Sequence, residues 1–68
     1  MNEETFNMSV RKFLKTVGVR SQAEIEHAVN KAIAEGMLQG NEAFVARMQL
    51  TVDTVALSLP IEGEIRLE

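Results

Sequence analysis

The sequence predicts an α+β fold in which a two-helix hairpin packs on one face of a small antiparallel β-hairpin, in the order α-α-β-β. Three observations predict it. Apolar residues recur with a helical period as far as Ile33, Gly18 interrupts that stretch, and from Val45 onward the period falls to two.

The first helix is expected over about residues 3 to 17. Phe6, Val10, Phe13, Leu14 and Val17 fall on one stripe of a 3.6-residue period. Asn2 offers an N-cap, Glu3 and Glu4 put negative charge at the start, and Lys12 and Lys15 put positive charge near the end, as the helix dipole favours. Gly18 reads as a left-handed stop. A second helix is expected over about 22 to 35, opened by Ser21 and Glu24 as a capping box and closed at Gly36. Its stripe is Ile25, Ala28, Val29, Ala32 and Ile33, and the short link from Gly18 to Ser21 predicts that the two helices lie side by side.

Residues 37 to 44 contain the turn signal Gly40-Asn41 and read as a connector. A strand is expected over about 45 to 52, with Met48, Leu50 and Val52 on one face and Arg47, Gln49 and Thr51 on the other. A second is expected over about 61 to 67. Pro60 cannot donate to a ladder and Gly63 suggests a bulge, while residues 53 to 60 admit either a loop or a further short strand. Pairing Leu50 with Ile65 sets Met48 against Leu67 and Arg47 against Glu68, but it also sets Asp53 against Glu62, an unfavourable match of like charge.

Sixty-eight residues make one small domain, and a chain this short hides only about 60% of its unfolded surface. Such domains commonly rely on a disulfide, a metal or a second subunit. With no cysteine and a single histidine, self-association, as a homodimer, is the expected support. The acidic start, MNEET, followed by no long apolar run, predicts neither a secretory signal nor a membrane span, and hence a cytoplasmic protein. Net charge is −3, yet residues 5 to 23 contribute +4 and no acid, which leaves −7 for the remainder. That asymmetry serves helix ends as well as it serves a partner.

No residue set calls for catalysis or a cofactor. Glu62 and Glu64 share one strand face, but hard cations want six or more oxygens, and charge along an edge strand is an ordinary defence against aggregation. His27 has Lys31 where a second ligand would stand, and Ser21 and Ser58 have no base beside them. No metal, no small-molecule substrate and no enzymatic activity are expected. Met8 lies opposite the first stripe, and with Arg11, Lys12 and Lys15 it forms the expected partner contact. The alternative is a helix-turn-helix or winged-helix nucleic-acid binder built around TVGVRSQAEIEHAV. Glu24 and Glu26 at the start of the reading helix weigh against it.

The blocks NMSVRKFLK (7–15), GVRSQAEIEHAV (18–29) and EGEIRLE (62–68) resemble a family of short, uncharacterised bacterial proteins. The resemblance implies a cytoplasmic, stand-alone domain of bacterial origin and of unknown function. It carries no catalytic residues to these positions. The function read from the residues is therefore a protein-interaction or assembly module.

Overall fold

The computed structural model describes all 68 residues, as two compact units, Met1–Met37 and Leu38–Glu68. The first unit is one helix, α1 (Glu3–Ala34). The second is an antiparallel hairpin of β1 (Ala43–Val52) and β2 (Leu57–Arg66), joined through a 3-10 turn at Asp53–Val55.

The architecture is thus α-β-β, and the expected two-helix hairpin is corrected to a single continuous helix. Gly18 is the reason for the difference. It keeps a right-handed backbone, for among the glycines only Gly36 and Gly40 have positive φ. A helix-interior glycine costs about 1 kcal/mol relative to alanine, which a helix of about nine turns without proline absorbs. The capping box at Ser21 and Glu24 does not form, because Ser21 lies inside the helix. Gln22 Nε2 instead donates to Glu26 Oε1 at 3.0 Å, a pair one turn apart. Ser9 and Thr16 donate their hydroxyls to the carbonyls of Phe6 (2.8 Å) and Lys12 (3.1 Å), so neither competes with the helical ladder.

Both ends of α1 follow the expected chemistry. Asn2 Oδ1 accepts from the Thr5 amide at 3.0 Å, with Glu3 and Glu4 in the first turn. At the other end Met37 donates to the Ala32 carbonyl (2.8 Å) and Gly36 to that of Ile33 (3.1 Å), the paired bonds of a Schellman motif. Gly36 carries φ +78°, a left-handed position where a Cβ is costly.

In the hairpin β2 begins at Leu57, not Ile61, and Pro60 lies within it opposite Gln49. A two-stranded sheet consists only of edge strands, where proline is tolerated. The register follows. Leu50 faces Leu59, Phe44 faces Ile65, Met48 faces Ile61 and Arg47 faces Glu62, six residues away from the expected alignment. This shift removes the Asp53 against Glu62 conflict by placing Asp53 in the turn. Ala56 closes that turn at φ 52°, ψ 37°, its amide donating to the Asp53 carbonyl at 3.0 Å. No bulge occurs at Gly63, since pairing runs one to one from Ala43/Arg66 to Val52/Leu57.

Candidate interaction surfaces

A helix and a two-stranded ribbon each have two sides, and on α1 the apolar side also holds Glu24 and Lys31. Phe6, Val10, Phe13 and Val17, continued by Ser21, Ile25, Ala28 and Ala32, fall within an arc of about 120° around α1. Phe6, Phe13 and Leu14 remain 51%, 52% and 53% exposed, and no residue of the helix is buried. The centre of the stripe turns by roughly 60° between the two halves, because the spacing slightly exceeds 3.6 residues.

Met8, Arg11, Lys12 and Lys15 occupy the opposite side of α1, one to two turns apart, together with Val19. All five are exposed, Met8 at 64%. A continuous helix therefore assembles the expected contact residues on one face and adds Val19 to them. Val19 joins this face because the helix runs on through Gly18.

The hairpin is more strictly divided. Alternation places Phe44, Ala46, Met48, Leu50 and Val52 on the same face as Leu57, Leu59, Ile61, Gly63 and Ile65, without one polar side chain. One pair in from its end Gly63 faces Ala46, so little side chain stands between the Phe44/Ile65 and Met48/Ile61 pairs. A Cβ at Gly63 would meet nothing within 4 Å. The opposite face carries Ala43, Val45 and Pro60 among polar residues that are matched to one another: Arg47 Nε to Glu62 Oε1 at 3.1 Å, Arg66 Nη1 to Glu64 Oε1 at 3.2 Å, and Gln49 Nε2 to Ser58 Oγ at 2.7 Å. Glu62 and Glu64 thus each face an arginine. Both ion pairs are well exposed, so each contributes little to stability.

One polar device was not anticipated from the sequence. The Glu42 carboxylate accepts from the amides of Gln39 (2.8 and 3.1 Å), Gly40 (3.0 Å) and Asn41 (3.2 Å), clasping the connector onto the start of β1. Gly40, at φ +104°, provides the backbone turn that brings these amides together. The signal was an acid just after Gly-Asn, a side chain able to fold back on a turn. The Gln39 amide, followed by those of Gly40, Glu42 itself and Asn41, holds this carboxyl below the ordinary glutamate value, against an opposing desolvation.

The sign of the pH dependence follows from that depression. The clasp stabilises the connector fully above the ordinary glutamate pKa, about 4.3, and the contribution is lost as pH falls through the lower folded value. Amide exchange at residues 39 to 41 is therefore expected to be slowest at neutral pH, relative to intrinsic rates, and to lose protection in acid. Glu42→Ala should abolish the protection at every pH, and Glu42→Gln, which keeps one acceptor oxygen, should retain part of it without the acid transition.

No three His, Cys, Asp or Glu residues cluster in a way that could hold a metal ion, and no helix is long and apolar enough to cross a membrane. His27 is exposed on α1. Fold and surfaces together define a small α-β-β protein that displays one-sided apolar elements. The chain belongs to DUF6494, a family of unknown function, whose model matches residues 1–68. No curated protein and no solved structure matches it.

Proposed function

We propose that this protein is a cytoplasmic, non-enzymatic assembly module that works by associating with itself and with other proteins. One observation carries the reading: the chain has no buried residue, although a helical stripe and an entire hairpin face are apolar. A two-stranded ribbon is marginal in water without something against its apolar side, and helices draw most of their stability from packing the amphipathic face. Leu59 and Ile61, 45% and 47% exposed, have most to gain from such cover. The Met8, Arg11, Lys12 and Lys15 face is a second contact in this reading, suited by its charge to an acidic protein surface.

The helix-turn-helix alternative loses its turn, since Gly18 lies inside α1. The reading is tested by sedimentation equilibrium of the full chain from micromolar to hundreds of micromolar. A mass at or above twice the 7.6 kDa of one chain is expected. A single 7.6 kDa species throughout that range overturns it.

A further inference from the structure

The two edges of the hairpin differ in the backbone groups they offer. The Leu67 amide donates to the Glu42 carbonyl at 2.9 Å, directly across the ladder. In an antiparallel pair such bonds belong to every second residue. Phe44, Ala46, Met48, Leu50 and Val52 therefore turn their amides and carbonyls toward β2, while Ala43, Val45, Arg47, Gln49 and Thr51 turn theirs outward. On β2 the outward residues are Ser58, Pro60, Glu62, Glu64 and Arg66, so the donor that Pro60 lacks is missing from the open edge. The open edge of β1 lacks none. Building on the self-association reading, we propose that β1 pairs antiparallel with β1 of a second copy about a two-fold axis at Met48, joining the two hairpins into one four-stranded sheet.

What fits this edge to its own copy is that every outward amide belongs to a residue whose side chain lies on the face away from the apolar one. Antiparallel bonding between two such edges therefore brings both apolar faces to the same side of the sheet. Charge selects the register. With Met48 opposite Met48, each Arg47 faces Gln49, each Val45 faces Thr51, and pairing runs from Phe44 to Val52. An axis at Arg47 would oppose two arginines, a destabilising match, and one at Gln49 would carry Phe44 past the end of the other strand. The Met48 register also sets Leu50 of the second copy beside Ala46, and Val52 beside Phe44, so small positions are flanked by larger ones. Two strands are marginal in water and three or more with an apolar face are needed for stability, a number that a second hairpin reaches at once. β2, with Pro60, Glu62 and Glu64, is left outermost on both sides. The seam widens the apolar face without covering it, so it adds to self-association through the α1 stripe and does not replace it.

Amide exchange of the full chain, followed below and above the concentration at which sedimentation shows association, tests the seam. The amides of Val45, Arg47, Gln49 and Thr51 are expected to slow by about 10-fold or more on association, while those of Ser58, Glu62 and Glu64 do not. Gln49→Pro removes a donor that the hairpin's own ladder does not use, so it should abolish that gain and weaken association while the Met48 and Leu50 amides stay protected. Single cysteines test the register in a chain that has none of its own. Opposed residues of a non-hydrogen-bonded pair have Cα atoms about 4.5 Å apart, within reach of a disulfide, so Met48→Cys should oxidise to a linked dimer. The two Thr51→Cys positions, about 20 Å apart in this register, should not link. Linking at both positions means parallel strands and overturns the inference while leaving self-association standing. An associated protein in which the four β1 amides gain no protection does the same, by placing the contact elsewhere. A monomer overturns the inference and the reading together.

Discussion

Phe13→Asp is expected to leave a monomer at concentrations where the parent chain is assembled, with much of its helical circular dichroism lost. Phe13 stands in the middle of the first half of the stripe and is 52% exposed within the chain. Covering that remaining half of the ring stabilises association by roughly 1–2 kcal/mol, and a two-fold contact does so twice. The milder Phe13→Ala should therefore raise the dissociation midpoint by about 30- to 1,000-fold. Asp adds the cost of an unpaired carboxylate in an apolar contact. Met8→Ala, on the other side of α1, should leave the midpoint where it is. Equal effects at Phe13 and Met8, read by sedimentation equilibrium, would place the self-contact elsewhere.

Gly18 gives the second large effect, and its sign discriminates between one helix and two. With Gly18 inside a continuous helix and nothing within 4 Å of an added Cβ, Gly18→Ala should stabilise by about 1 kcal/mol. Gly18→Pro should destabilise by about 3 kcal/mol or more, through a lost hydrogen bond and a clash with the preceding turn. A left-handed stop at this position would reverse the first result, since alanine is penalised there. Helical ellipticity and thermal melting of the two variants measure both effects.

The same residue shows how far the sequence could be read. Periodicity identified the apolar positions of helix and strands, and the end signals at Asn2 and Gly36 were legible because each satisfies a specific unpaired backbone group. Gly18 misled because a glycine that stops a helix and one merely tolerated inside it look alike in the sequence. What separates them is the cooperativity of the flanking turns, which no local pattern records. The turn of the stripe around α1 reinforced the error, making one face look like two. Pro60 misled in a related way: read as a breaker, it hid the first four residues of β2 and moved the register by six. The Met8, Arg11, Lys12 and Lys15 set was legible as a face because it falls within one half of the helix. Val19 joins that face only once the helix is known to be unbroken.

The two outer rims of the hairpin are unequal, and that bears on how the protein behaves when crowded. The rim of β2 carries Pro60, which cannot donate, and the charged pair Glu62 and Glu64. That of β1 has ten residues with no proline and one charge, Arg47, already engaged by Glu62. Any incoming extended peptide is thereby directed to β1. When chains are concentrated or freshly made, this is the side on which ribbons would stack into fibrils, and a lysine in place of Val45 or Thr51 is the simplest way to block it.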